Sequence, residues 1–130
     1  MTTAVIDTNI VIRFFLNDDP LLSAKARKLF EEVQRTNSTI YIDELIIAEI
    51  IWLMLSFYKK EKQEIVSLLQ KLLSQKWMIN PRKELILITL TYYSFHNVSY
   101  IDTWTLMVAR SKNLPLVTFD KTLDKLAHST

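Results

Sequence analysis

The chain has 130 residues, a formal net charge of +2, 49% hydrophobic residues and 23% charged residues, which fits one folded domain over residues 1–130 and excludes a disordered chain. Cysteine and glycine are both absent, so disulfide scaffolds, cysteine metal sites, thiol nucleophiles, P-loops and glycine-rich dinucleotide turns are excluded. The sequence has two histidines, which leaves carboxylates as the abundant groups for chemistry.

The hydrophobic pattern predicts short strands that alternate with helices. In chain order, we expect a strand at residues 4–6, helices over 9–16 and 21–35, a strand at 39–42 and a helix over 43–58. The pattern continues with a helix along 65–73, a strand at 77–79, helices over 84–96 and 100–112, a strand at 116–118 and a last helix from Asp120. This order predicts an α/β fold with a short parallel sheet of about four strands, flanked by helices on both faces.

The longest apolar stretch, residues 45–55, is too short to cross a bilayer and is interrupted by Glu49. The chain does not begin with the basic and apolar segments of a signal peptide. We therefore expect a cytoplasmic protein that does not bind membranes.

Glu49 lies in a predicted helix that is apolar on every side. Burial of an unpaired carboxylate costs several kcal/mol, so Glu49 is expected to be paired, protonated or bound to a cation. A salt bridge to an arginine of another helix is the structural alternative.

Three further acidic residues lie at predicted helix starts or strand ends. Asp7 and Asp120 are suited to cap the helices that follow them, and Ser99-x-x-Asp102 has the pattern of a capping box. Each of these capping interpretations remains open beside a functional one.

The same residues could form a metal site. Parallel sheets bind ligands beyond the carboxyl ends of their strands, and Asp7 and Asp120 follow two predicted strands. Carboxylates that converge there repel each other unless a cation lies among them. Oxygen ligands without cysteine or histidine favour Mg²⁺ or Mn²⁺, and such a site is suited to phosphodiester hydrolysis.

Four acidic segments resemble the four acidic motifs of the PIN domain family. They are residues 5–9 (VIDTN), 47–53 (IAEIIWL), 100–102 (YID) and 117–120 (VTFD). Residues 13–20 (RFFLNDDP) are similar to the segment that follows the first motif in VapC-like toxins. The resemblance covers nearly the whole chain, with the motifs in order.

The resemblance implies a metal-dependent endoribonuclease, encoded with an antitoxin that blocks its active site, and products with 5′-phosphate and 3′-hydroxyl ends. It assigns catalysis and the binding of Mg²⁺ or Mn²⁺ to four carboxylates: Asp7, Glu49, Asp102 and Asp120. It also makes three neighbours candidates for orienting the metal ligands or the substrate: Thr8, Asn9 and Thr118.

An acidic site needs basic residues nearby to bind RNA. Arg13, Arg110 and Lys121 neighbour the acidic motifs, and we expect them to contact RNA phosphates. Trp104 occupies a position where small residues are common in the family, and it is a candidate to narrow the cleft or contact a base. The high apolar content predicts a surface buried against a partner protein or a second copy. We expect both a cognate antitoxin and a homodimer.

Two alternatives remain open. A haloacid-dehalogenase-type phosphatase also has its nucleophile just after the first strand, but it needs a second aspartate where this chain has Asn9. A catalytically inactive PIN-like module would bind RNA or act as a scaffold, and the intact set of four carboxylates argues against it.

Overall fold

The computed structural model describes residues 2–129, which divide between Pro81 and Arg82 into two compact units. The first unit contains β1 (Thr3–Val5), α1 (Thr8–Phe15), α2 (Pro20–Arg35), β2 (Thr39–Tyr41), α3 (Glu44–Ser56), α4 (Lys62–Leu73) and β3 (Met78–Ile79). The second unit contains α5 (Lys83–Phe95), α6 (Tyr100–Ser111) and α7 (Lys121–Ala127). The expected α/β class is confirmed.

The first unit is built on a parallel sheet with the strand order β1-β2-β3. Ala4 lies opposite Ile40, and Ile40 lies opposite Met78. Ile40 and Met78 are fully buried, with α2 packed on β2 and α4 packed on β3. Because the three strands are parallel, their carboxyl ends meet at one edge of the sheet.

The helices of the first unit pack through their apolar faces, and α1 contacts both α2 and α3. Phe30 of α2 is buried, and the centroid of its ring lies 4.6 Å from that of Phe14 and 5.3 Å from that of Trp77. These aromatic contacts fix α1 and α2 against the segment that leads into β3.

The second unit is a set of three helices, in which α6 packs against both α5 and α7. Leu106 and Met107 of α6 form a buried cluster with Leu123 of α7. The rings of Tyr93 and Tyr100 meet at nearly right angles, with 5.6 Å between their centroids. These contacts stabilise the helices of this unit against one another.

The predicted fourth strand at residues 116–118 is wrong, and the sheet has three strands. No strand is present in the described residues 82–129, and Val117 is 89% exposed. A short apolar run forms a strand only when a neighbouring strand is available to pair with it, and local sequence does not show that neighbour.

The longest helix among the described residues, α2, has 16 residues. A membrane-spanning helix needs about 20 apolar residues. Between residues 2 and 129, none of the helices has the length and apolarity that such a span needs.

Candidate metal centre

The carboxyl edge of the parallel sheet carries a polar residue shortly after each strand: Asp7 after β1, Asp43 after β2 and Asn80 after β3. The two aspartates are the N-caps of α1 and α3. The amide of Ile10 donates to Asp7 Oδ1 at 3.3 Å, and the amide of Leu45 donates to Asp43 Oδ1 at 2.9 Å. The capping interpretation of Asp7 is confirmed.

Asn80 connects the carboxyl ends of β2 and β3. It is 8% exposed, and its Nδ2 donates to the Ile42 carbonyl at 2.8 Å and to the carboxylate of Glu44. Because Glu44 begins α3, this contact fixes where α3 starts. Sequence reasoning missed the Glu44–Asn80 pair, although an acidic residue after the second strand and an amide after the third strand could have indicated it.

Thr8 carries a buried hydroxyl at the start of α1, next to the exposed carboxylate of Asp7. Thr8 is 5% exposed, and its Oγ1 has no hydrogen-bond partner among residues 2–129. A buried hydroxyl without a partner costs about 1–3 kcal/mol. This polar atom therefore fits a site that is completed by an ordered water or a ligand.

The expected burial of Glu49 is wrong, because Glu49 is exposed. The buried side of α3 consists of Ile47, Ile50, Ile51 and Met54. Glu49 lies on the opposite side, between Leu45 and Trp52, which are 78% and 63% exposed. No salt bridge joins Glu49 to another described residue, so the alternative of an arginine partner is not seen. An all-apolar pattern cannot indicate which side of a helix is buried.

The two predicted metal ligands of the second unit, Asp102 and Asp120, lie at helix N-termini. Ser99 caps α6, and its Oγ accepts the amide of Asp102 at 3.1 Å. Asp120 caps α7, since the Leu123 amide donates to its Oδ1 at 2.9 Å. The amide of Asp120 itself donates to Thr118 Oγ1 at 3.1 Å. The predicted capping roles at Ser99 and Asp120 are confirmed, and Thr118 fixes the backbone that carries Asp120.

The contacts between α6 and α7 show that the two helices run in the same direction. Near the end of α6, Arg110 Nη2 donates to the carbonyl of Leu126 in the last turn of α7 at 3.1 Å, and to the carbonyl of Ser129, just beyond α7, at 3.3 Å. Earlier in both helices, Leu106 of α6 packs with Leu123 of α7.

Because α6 and α7 run in the same direction, their N-terminal ends lie on the same side of the pair. Asp102 lies in the first turn of α6, and Asp120 is the N-cap of α7. The second unit therefore carries Asp102 and Asp120 at the same end of the α6–α7 pair.

The four predicted ligands are divided between the units, with Asp7 and Glu49 in the first and Asp102 and Asp120 in the second. None of the four forms a salt bridge with a residue of the described chain. Over residues 2–129, no three Asp, Glu or His side chains are grouped closely enough to hold a metal ion. Carboxylate oxygens are nevertheless the donors that Mg²⁺ prefers, and the four-ligand set stays a prediction.

The PIN domain family matches residues 4–129, almost the whole chain. The chain belongs to the PIN domain family. PIN domains are generally nucleases, which are hydrolases. No curated protein matches the chain.

Arg13 of this PIN domain is held by two neighbouring side chains. Its Nη1 donates to both carboxylate oxygens of Asp18, at 2.8 and 2.9 Å, and its Nη2 donates to the Tyr58 hydroxyl at 3.3 Å. The hydrogen bond between the charged groups lowers the pKa of the Asp18 carboxyl and raises the pKa of the Arg13 guanidinium. Arg13 thus joins α1 to the residues that follow α3, and its predicted RNA contact stays a prediction.

Trp104 lies on a different side of α6 from Asp102, because residues two positions apart in a helix point about 200° apart around the helix axis. Thr103, between them, is fully buried. The guanidinium carbon of Arg82 lies 4.9 Å from the centroid of the Trp104 ring. This placement gives no support to a contact of Trp104 with a base held near Asp102.

Two substitutions separate the capping role of Asp120 from the role of its charge. Asp120→Asn retains an N-cap of similar strength and removes the charge, whereas Asp120→Ala removes both. In EDTA, we expect Asp120→Ala to lower the free energy of unfolding by about 1 kcal/mol and Asp120→Asn to leave it nearly unchanged. Thermal melting measures the difference, because about 1 kcal/mol corresponds to a few degrees in a domain near this size. An unchanged melting temperature for Asp120→Ala would contradict the capping role.

Proposed function

We propose that this PIN domain is a metal-dependent endoribonuclease that hydrolyses RNA phosphodiester bonds and acts as one nuclease domain. The observation that carries the proposal is the family match over residues 4–129. We further propose that Mg²⁺ or Mn²⁺ is the cofactor. Its ligands, and the catalytic carboxylates, are Asp7, Glu49, Asp102 and Asp120.

The chemistry of these side chains supports a cation. All four are carboxylates that lack a salt bridge within residues 2–129. Asp7, Glu49 and Asp120 are exposed and Asp102 is half-buried, so an ion can reach each of them from solvent. Hard oxygen donors select Mg²⁺ or Mn²⁺ over softer metals. The unpartnered hydroxyl of Thr8 beside Asp7 supports a further polar ligand or an ordered water at this position.

A bound divalent cation supplies a water of lowered pKa and stabilises negative charge on the phosphate during hydrolysis. The protein's own residues hold and orient the reacting groups. Capping contacts fix the backbone at Asp7 and Asp120, and the Thr118 hydroxyl accepts the amide of Asp120. In this proposal Thr8 and Asn9, which begin α1, orient the metal ligands or the substrate phosphate.

Basic residues next to these carboxylates have the positive charge that is needed to bind the phosphates of an RNA substrate. Lys121 is exposed and directly follows Asp120, so it is the best placed to contact a phosphate. The guanidinium groups of Arg13 and Arg110 are already hydrogen-bonded within the protein, which makes them weaker candidates.

We propose that the nuclease is the toxin of a toxin–antitoxin pair, as the similarity of residues 13–20 to VapC-like toxins suggests. Large apolar side chains remain exposed, among them Phe57 at 71% and Phe95 at 79%. Surfaces of this kind favour a protein partner. The cognate antitoxin and a second copy of the chain are the two partners that we propose.

The alternatives can be separated from this proposal. The phosphatase interpretation does not agree with membership of the PIN domain family. A catalytically inactive PIN module would bind RNA without cutting it, so an assay of cleavage distinguishes it from an enzyme.

The purified protein is expected to cleave structured RNA in Mg²⁺ or Mn²⁺ and to lose this activity in EDTA. Asp7→Asn and Asp102→Asn should each reduce the cleavage rate by more than the roughly 10–100-fold that is usual for residues that only support a ligand. Glu31→Gln, which removes an exposed charge on α2, is the control and should cut at the wild-type rate. Gel analysis of end-labelled RNA measures the rates, and far-UV circular dichroism confirms folding. Wild-type cleavage by either aspartate variant would remove that residue from the catalytic set.

The toxin role has a separate test in cells. Expression of the wild-type protein alone should slow bacterial growth, because uncontrolled RNA cleavage limits translation, and Asp7→Asn should not slow it. Growth curves at equal expression levels measure the difference. Equal growth of both cultures would contradict the toxin role and would leave the nuclease role unaffected.

A further inference from the structure

α7 is a short helix whose N-cap is a proposed metal ligand. It has seven residues, and Leu123 is the buried one among them. Helices of this length are not stable alone in water, so the position of α7 depends on its contacts with the rest of the second unit. Asp120 moves with the helix that it caps, since its Oδ1 accepts the amide of Leu123.

Arg110 of α6 provides polar contacts at the opposite end of α7. Its Nη2 donates to the carbonyl oxygens of Leu126 and Ser129. The last carbonyls of a helix lack partners within the helix and carry the negative end of its dipole. A guanidinium is therefore a favourable partner for the Leu126 carbonyl, and together with the bond to Ser129 it holds the C-terminal end of α7 against α6.

The same guanidinium also contacts α5. Its central carbon lies 5.5 Å from the centroid of the Tyr92 ring, and Tyr92 packs against the cluster that contains Leu123. The Tyr92 ring stacks on the imidazole of His96 with 3.8 Å between the centroids, which restrains its orientation. Arg110 of α6 thus contacts both other helices of the second unit, α5 and α7.

We propose that Arg110 is a positioning residue for the metal ligand Asp120, rather than a contact for RNA phosphates. Asp102 and Asp120 lie at one end of the α6–α7 pair, and Arg110 joins the two helices at the other end. By fixing α7 to α6, Arg110 sets where Asp120 lies relative to Asp102. This inference rests on the proposed metal-dependent function, because it assigns a ligand's role to Asp120.

The test compares Arg110→Met and Arg110→Lys with the wild-type protein. Arg27→Met is the control, since Arg27 is an exposed arginine of α2 without a salt bridge to any other described residue. Hydrogen exchange in EDTA measures how firmly α7 is held, and calorimetric titration with Mn²⁺ measures the dissociation constant. Circular dichroism checks that each variant is folded.

In Arg110→Met, we expect the amides of α7 to exchange roughly tenfold faster, because the bonds from a charged donor are lost. We expect its Mn²⁺ dissociation constant to rise by about 10–100-fold, the usual effect of losing a group that orients a ligand. Arg110→Lys should recover part of both properties, because one nitrogen of Arg110 makes both hydrogen bonds. Arg27→Met should change neither.

Three results would overturn the proposal, each for a different reason. Unchanged exchange in Arg110→Met would show that Arg110 does not hold α7. Faster exchange with unchanged Mn²⁺ affinity would show that α7 is held by Arg110 but that the metal does not depend on it. A wild-type protein that neither binds Mn²⁺ nor cleaves RNA would contradict the proposed function itself, whatever the exchange rates are. If Arg110→Met does not fold, Arg110→Lys takes its place. Its α7 exchange rates and Mn²⁺ affinity are then compared with those of wild type and Arg27→Met, and the same results would overturn the proposal.

Discussion

The amide groups in the first turn of a helix need hydrogen-bond acceptors, and in this protein an aspartate often supplies one. Over residues 2–129, four of the seven helices follow an aspartate whose carboxylate accepts such an amide: Asp7, Asp19, Asp43 and Asp120. The positive end of the helix dipole stabilises a negative charge at this position. Asp7 and Asp120 are two of the four carboxylates proposed to bind a cation. Their positions are therefore fixed by their role as helix N-caps.

A helix cap and a metal ligand are compatible roles for one side chain, since a carboxylate has two oxygens. At Asp7 and Asp120 the capping hydrogen bond is made by Oδ1, and no salt bridge to a described residue neutralises the charge. Asp18 is different, because its carboxylate is bound by Arg13 and its pKa is lowered by that hydrogen bond. Glu44 is likewise engaged by Asn80. Asp7 and Asp120 thus keep a second carboxylate oxygen and an unneutralised charge, which the proposed cation site requires.

Much of this structure could be predicted from local patterns. Apolar periodicity indicated the helices, and the Ser99-x-x-Asp102 spacing indicated the start of α6. The exposure of Glu49 could not be predicted, because a helix that is apolar all round does not show which side faces the core. The predicted strand at 116–118 failed because strand pairing depends on a distant neighbour. The hydrogen bonds of Arg110 could not be predicted either, since its acceptors are backbone carbonyls, which leave no mark in the sequence.

The proposed function depends on the claim that the acidic motifs of this PIN domain bind a divalent cation. Calorimetric titration with Mn²⁺ of wild type, Asp7→Asn and Asp43→Asn tests it most directly, because Asp7 and Asp43 are both N-caps that follow a strand of the same sheet. We expect wild type and Asp43→Asn to bind Mn²⁺ equally well, and Asp7→Asn to bind it at least roughly tenfold more weakly. Equal binding by Asp7→Asn and wild type, or no binding by wild type, would contradict the claim.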